Sequence, residues 1–456
     1  LVPIVVATLV ALVGCARDPA PVVVVGIDGL EWDVVLPLLR EGRLPALEGL
    51  MRRGSFGILT TQKPAKSPVV WTTVVTGKHP PKHGVLDFTR VEPDGTRVLY
   101  SSRDRTTKAL WNILSDFGQR SAVVGWWTTF PVEAISGVMV AQLNTLEELP
   151  HRQRIKRVDV EPGARGQVHP GEIQATVFEI ARDVDRELAP LLERIYPAAM
   201  PADPGPDTEI WTGCSWSVRA DESVRRIALE LIRRGPMPDL MLVYFGATDV
   251  VPHQFWRYHQ PEAFRHPPSP ERIDRLGEVV NHTYEHVDTV LGELLTALPR
   301  DANVFVISDH GMRAKHTNLD FDAEARTRPE RESGGHGGGP PGILVAAGPA
   351  IRQAGVSLPL AELTRADLAE VGTVADITPT ILALRGIAIG SDMDGRTLEN
   401  LLQPSALDTS SLEFVPSHDS PEWLAAHVGA DPERLGTDER IEQLRALGYL
   451  DSDDAP

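Results

Sequence analysis

Short, uninterrupted apolar runs recur along the chain, and three of them end in a carboxylate. Val22-Val23-Val24-Val25 leads into Gly26-Ile27-Asp28-Gly29. Asp239 to Phe245 leads into Gly246-Ala247-Thr248-Asp249, and Val304 to Ile307 into Ser308-Asp309-His310-Gly311. Runs rich in β-branched and aromatic residues, with no apolar/polar alternation, are strands covered on both faces, as in parallel sheets flanked by helices. Ser121 to Gly125 and Gly342 to Gly348 read the same way. Between these runs the period changes to that of amphipathic helices: Trp32 to Arg40, Leu44 to Arg53, Leu110 to Leu114, Ser217 to Arg234 and Arg272 to Leu298. A further helix through Trp71 to Thr76 should stop at Gly77. The pattern predicts an α/β fold with a mostly parallel central sheet.

In open α/β sheets ligands gather at the carboxyl ends of strands, where these acidic residues fall. Asp309 and His310 are adjacent there and both suit a Zn²⁺-like ion, although the Asp could equally cap a turn. Asp28 is either a second strand-end ligand or a turn residue. Asp249 and His253 are four residues apart after their strand, close enough to meet one ion, or else a capping Asp and an exposed His. His336 stands among five glycines in Ser333-Gly334-Gly335-His336-Gly337-Gly338-Gly339, a loop that can approach a ligand closely or simply be a surface loop. Ser67 lies between Pro64 and Pro68 ahead of a helix. It is a helix cap or a nucleophile favoured by the helix N-terminus. His282 and His286 also have helical metal-pair spacing, but the strand-end residues already make a full set.

Charge and cysteine content narrow the classes. A net charge of -18 and a pI near 5.2 argue against bulk nucleic-acid binding. The 456 residues are enough for one large domain with insertions, or for two or three domains. Leu1 to Gly14 is apolar and too short to span a bilayer, but fits the core of a secretion signal. Leu12-Val13-Gly14-Cys15 resembles a bacterial lipoprotein box, which implies cleavage before Cys15 and lipidation of its sulfur. The protein would then be exported and lipid-anchored at the periplasmic face of the cell envelope, with membrane as a partner. An ordinary cleaved signal with an incidental Cys is the alternative. Cys214 is the only other cysteine, so no internal disulfide framework follows. Residues 1–20 read as signal and tether and 21–403 as the catalytic domain. A cap insertion is expected at about 144–213, with a helix from about Gly171 to Tyr196. Residues 404–456 read as linker and a small helical tail.

Taken in order, Gly26-Ile27-Asp28-Gly29, Lys66-Ser67-Pro68, Val74-Val75-Thr76-Gly77 with Pro80 and His83-Gly84, Asp249 with His253, and Ser308-Asp309-His310-Gly311 resemble the alkaline phosphatase superfamily, in its type I phosphodiesterase/nucleotide pyrophosphatase branch. The resemblance runs from about Val22 to about Leu402. It implies a three-layer α/β sandwich of the alkaline phosphatase type and a metal-dependent hydrolase of phosphate esters, working through a covalent phosphoserine. Two divalent ions, Zn²⁺ by donor type, are implied. One would be held by Asp28, Asp309 and His310 with Ser67, the other by Asp249, His253 and His336.

Two dications, three carboxylates and a Ser67 alkoxide sum to zero, so a dianionic monoester would want further cations where a monoanionic diester would not. Lys66, Arg103, Arg105 and Lys108 are candidates, with Lys66 and Lys108 taken as substrate-binding. Relatives that act on nucleotides usually carry an Asn shortly after the His-Gly pair, where this chain has Phe88. This weakens the carry-over of a nucleotide substrate but leaves a phosphodiesterase or nucleotide pyrophosphatase as the leading reading, with a small-molecule or lipid-headgroup phosphate ester as substrate. A phosphomonoesterase of the same fold, or a non-catalytic binding lipoprotein, are the other readings. A sulfatase is disfavoured because the Cys/Ser-x-Pro-x-Arg motif is absent at Ser67-Pro68-Val69.

Overall fold

The computed structural model describes residues 19–93, 95, 97–142, 166–196, 206–321, 332–353, 359–406 and 412–428. Cys15, the part of the 144–213 segment outside these ranges, and the tail beyond 428 lie outside the described residues. The apolar runs form one nine-stranded sheet: β1 (Val22–Ile27), β2 (Ser55–Thr60), β3 (Ser121–Val124), β4 (Gly137–Val140), β5 (Val168–His169), β6 (Leu240–Phe245), β7 (Asn303–Ile307), β8 (Gly342–Ala347) and β9 (Glu370–Thr373). Their spatial order is β9-β2-β8-β7-β1-β6-β3-β4-β5. β8 runs antiparallel to β7 and β2, and β5 antiparallel to β4, while the other pairings are parallel.

The helices used below are α1 (Trp32–Arg40), α2 (Pro45–Arg53), α3 (Ser67–Thr76), α4 (Leu110–Asp116), α5 (Gln174–Glu187), α6 (Ala189–Ile195), α7 (Pro206–Arg234), α8 (Ala247–His259), α9 (Val279–Ala297), α10 (Ile377–Leu384) and α11 (Pro421–His427). Strand parity sorts them into two layers. Val23, Val25 and Ile27 of β1, with Met241, Val243 and Phe245 of β6, pack into one core with α1, α2 and α5 to α9. Val22 and Val24, with Leu240, Leu242 and Tyr244, pack into the other with α3, α4 and α10. Alternate side chains of a strand point to opposite faces, so a run apolar at both parities must be covered twice. This is the expected three-layer α/β sandwich with a mostly parallel sheet.

Several element bounds differ from the sequence expectation. The helix expected from Gly171 to Tyr196 is two, α5 and α6, parted at Leu188, one residue before the Ala189-Pro190 start of α6. α7 starts at Pro206 rather than at Ser217. The helix expected from Arg272 to Leu298 breaks at Gly277 into Pro270–Leu276 and α9. No helix among the described residues is long and apolar enough to cross a membrane.

The two ends of one layer are tied by a buried carboxylate. Asp288 of α9 accepts the N–H groups of Ala46 (3.0 Å) and Leu47 (2.8 Å) in the first turn of α2, where helix N–H groups lack partners of their own. Burial pushes the Asp288 carboxyl from 3.8 up to about 6, outweighing these two N–H donors. A folded pKa above the unfolded one means that the native state holds the extra proton, so stability falls as pH rises through this window. Thermal unfolding of the wild type should therefore lose ground between about pH 4 and pH 6 relative to Asp288→Asn, which has no charge to bury. Parallel pH profiles for the two proteins would contradict this.

Candidate active site

The three strand-end carboxylates meet because β7, β1 and β6 are adjacent and parallel, so their carboxyl ends lie side by side. Asp28, Asp309 and His310 each offer one ligand atom, and the three atoms lie within 4.8 Å of one another. His310 Nε2 is 3.4 Å from Asp28 Oδ1 and 3.2 Å from Asp309 Oδ2. All three residues are at most 1 % exposed, yet none of these three atoms makes a hydrogen bond among the described residues. Buried polar atoms are nearly always satisfied. Three convergent, unsatisfied acceptor-type atoms fit a cation.

Their other atoms are occupied. Asp28 Oδ2 accepts from Trp71 Nε1 at 3.0 Å and from the Tyr244 hydroxyl at 2.6 Å. His310 Nδ1 faces the Gly311 carbonyl at 3.1 Å, which keeps the proton on Nδ1 and the lone pair on Nε2. The hydroxyl of Thr248 donates to the Asp28 carbonyl at 2.7 Å, and Ser308 Oγ accepts from the Leu30 N–H at 2.9 Å.

A second group adjoins the first. Asp249, His310 and His336 also place one ligand atom each within 4.8 Å of the others. Asp249 and His253 lie one turn apart on α8, and His253 Nε2 is 3.3 Å from Asp249 Oδ1, with His336 Nε2 at 3.7 Å. The His310 and His336 rings stack at 3.7 Å, which makes His310 the hinge between the two groups. Gly29 permits the approach. It has φ +67°, and a Cβ there would lie 2.9 Å from Asp249 Cα.

The electrostatics reflect three acids sharing a dry space. Burial, then the charge of Asp249, lifts the Asp28 carboxyl to about 6. Burial, then Asp28, lifts Asp309 well above the carboxylate range. Burial holds His310 down at about 4, and burial with His310 holds His336 at about 3, so both imidazoles are neutral donors. Asp249 goes below the usual range: burial would raise it, but His253 and then His336 draw it down. His253 goes up despite its burial, because Glu332 and Asp249 face it.

Ser67 opens α3 and is fully buried, and its Oγ has no hydrogen-bond partner among the described residues. It stands one turn before Trp71, on the helix face whose indole reaches Asp28. Lys66 is engaged by Asp87 at 2.5 Å and Lys108 by Asp116 at 2.6 Å, so both are already neutralised. Arg105 is buried against Glu133 at 2.8 Å, and Arg103 Nη1 donates to the His427 carbonyl at 3.4 Å. The structure thus brings together Asp28, Asp249, His253, Asp309, His310 and His336. None of the four cations pairs with a member of that set. His282 faces the Ile195 carbonyl at 3.2 Å on α9, away from it.

Three residues that support the cluster were not singled out from sequence. Tyr244 and Trp71 were read as strand and helix core. Glu332, 4 % exposed, sits 3.4 Å from His253 Nδ1 and also pairs with Lys315. Its only signal was an acid a few residues before the glycine-rich His336 loop.

The family model for type I phosphodiesterase / nucleotide pyrophosphatase matches residues 22–347. Among solved structures, the chain is similar to murine ectonucleotide pyrophosphatase / phosphodiesterase 5, with 15% identity and a TM-score of 0.46 over 84% of this chain and 100% of that one. It is also similar to phosphonoacetate hydrolase from Sinorhizobium meliloti 1021, with 18% identity and a TM-score of 0.40 over 68% of this chain and 62% of that one. No curated protein matches it significantly.

The Gly334 carbonyl, 3.0 Å from His253 Nδ1, sets the tautomer of this ring, and the Glu332 carboxylate behind it raises its basicity; removing such a group typically weakens metal binding about 10- to 100-fold. Glu332→Gln should therefore lower divalent-metal affinity by that order, read by competition with a chromophoric chelator. Unchanged affinity would show that Glu332 serves only Lys315.

Proposed function

The chain belongs to the type I phosphodiesterase / nucleotide pyrophosphatase family, and on that premise we propose that it is a two-metal phosphodiesterase with Ser67 as nucleophile. The observation that carries the reading is the set of convergent, unsatisfied atoms of Asp28, Asp309 and His310, adjoined by Asp249 and His336. Imidazole and carboxylate donors together suit zinc, with Asp28, Asp309 and His310 holding one ion and Asp249, His253 and His336 the other. Such ions would supply Lewis acidity, drawing charge from the attacking and leaving oxygens.

The residues of the chain do the rest. Ser67 loses its proton to water and attacks phosphorus, and the P–O bond to the leaving group breaks as the Oγ–P bond forms. Water then attacks the phosphoserine, the Oγ–P bond breaks, and Ser67 recovers a proton. The N-terminus of α3 lends its dipole to the oxygen that carries charge. Trp71 and Tyr244 donate to Asp28 Oδ2 and hold the carboxylate still.

If the Ser67 hydroxyl had no chemical role, Ser67→Ala would leave turnover intact, since its Oγ makes no hydrogen bond among the described residues. As a nucleophile it should lose about a thousandfold or more of turnover with metal content unchanged, and Ser67→Thr should retain part of the activity. Acid trapping of the wild type should place phosphate on the peptide containing Ser67. Wild-type turnover in Ser67→Ala would transfer the attack to water.

The lipoprotein-like box before Cys15 supports export and a lipid anchor. One acyl chain anchors weakly, whereas a multiply acylated Cys anchors stably. Full-length wild type should partition into detergent and Cys15→Ala into water. Aqueous partitioning of both would remove the anchor.

A further inference from the structure

Three charged candidates lie outside the proposed metal cluster. The cavity between α6, α7 and α9 presents Arg225 and Arg226, but Glu222, Glu187 and Glu293 already neutralise them. The buried Arg105–Glu133 pair, with His427 beside it, joins α11 to the body and needs no ligand. The third candidate is a lysine.

Lys66 pairs with Asp87, Lys78 with Asp392 and Asp419, Lys82 with Asp394, Lys108 with Asp116 and Lys315 with Glu332. Lys63 is the one lysine among the described residues that pairs with no carboxylate. In a chain of net charge -18 a lysine with no carboxylate partner among the described residues is a departure from the rule. Its position is specific. Lys63 is exposed and lies four residues before Ser67. Its stem runs along Gly339: a Cβ built there would be 3.3 Å from Lys63 Cε. Gly339 closes the turn that starts at His336, its N–H donating to the His336 carbonyl at 2.8 Å. Lys63 therefore bridges the loop of the nucleophile and the loop of a candidate metal ligand.

The same stretch carries other donors that lack acceptors. Thr61 Oγ1 and Gln62 Nε2 are buried with no hydrogen-bond partner among the described residues. The Gln62 carbonyl oxygen is already taken by the Thr73 hydroxyl at 3.0 Å, so the amide presents its N–H groups elsewhere. A hydroxyl, an amide and an ammonium without acceptors, next to a buried serine, describe one side of an anion site.

We propose that Lys63 is the residue that reads substrate charge, its ammonium pairing with the non-bridging oxygens of a monoanionic phosphodiester. This deepens the hydrolase reading and rests on it. The charge count sets the number. Two dications, the carboxylates of Asp28, Asp249 and Asp309, and the Ser67 alkoxide sum to zero. A diester then brings one negative charge, and one free ammonium balances it. A dianionic monoester would leave one charge over, since Lys66 and Lys108 are spent on Asp87 and Asp116. The charge of a diester is present before and during reaction, so Lys63 binds ground state and transition state alike and acts on KM rather than kcat.

The test uses full-length wild type, Lys63→Gln and Lys63→Arg, with thermal unfolding as a check on folding. With bis(4-nitrophenyl) phosphate, Lys63→Gln should raise KM roughly ten- to a hundredfold with kcat near wild type, as expected for a lost charged hydrogen bond. It should also flatten the fall of kcat/KM with ionic strength, and Lys63→Arg should restore both. Calorimetric titration with inorganic phosphate should show the same weakening without any turnover. Wild-type KM and wild-type phosphate affinity in Lys63→Gln would overturn the inference. A wild type that cleaves no phosphate ester would overturn the hydrolase reading instead, and the phosphate titration would still decide the role of Lys63.

Discussion

Three carboxylates within a few ångströms of each other, all excluded from water, are the constraint around which this fold is arranged. Asp28, Asp249 and Asp309 are each at most 1 % exposed. Isolated buried charge is costly, and like charges raise the cost further. The chain meets this in two ways. It supplies donors to the atoms that point away from the cluster, as Trp71 and Tyr244 do for Asp28. It leaves Asp28 Oδ1 and Asp309 Oδ2 without donors among the described residues, an arrangement that suits a cation. The second choice lowers the stability of the metal-free protein in exchange for a site that is set before any ion arrives. Neutral His310 and His336 fit the same logic, because a protonated imidazole between the groups would compete with the ion.

How much of this was legible beforehand depended on range. β1, β6, β7 and β8 were visible because burial on both faces leaves an uninterrupted apolar run. β2, β4 and β9 were not. β2 alternates buried and half-buried positions, and β9 is an edge strand with an exposed Glu370. The candidate ligand residues were visible because each follows a readable strand or sits among glycines. Tyr244, Trp71 and Glu332 were hidden because their roles depend on partners 216, 43 and 79 residues away or more. The same range effect hid the partners of two candidate substrate cations. Lys66 and Lys108 stand near the right motifs, but acids at Asp87 and Asp116 neutralise them, and no local pattern announces that pairing.

The one reversal inside the sheet has a chemical consequence. A chain that leaves β7 at its carboxyl end and enters a parallel neighbour must first travel back to the opposite edge, through a crossover connection. β8 is antiparallel to β7, with Leu344 opposite Ile307, so the chain re-enters the sheet from the end it has just left. The intervening segment can therefore keep both its ends at the catalytic edge. Asp309 and His310 stand at its start and Glu332 and His336 near its finish, and Ser333 is fastened to α8 by its N–H to the His253 carbonyl at 2.7 Å. A parallel β8 would have carried His336 away from that edge. Antiparallel pairing at this single position lets one excursion serve both ligand groups, and it places the Gly339 turn where the stem of Lys63 can rest on it. The topology of one strand thus decides which residues share the site.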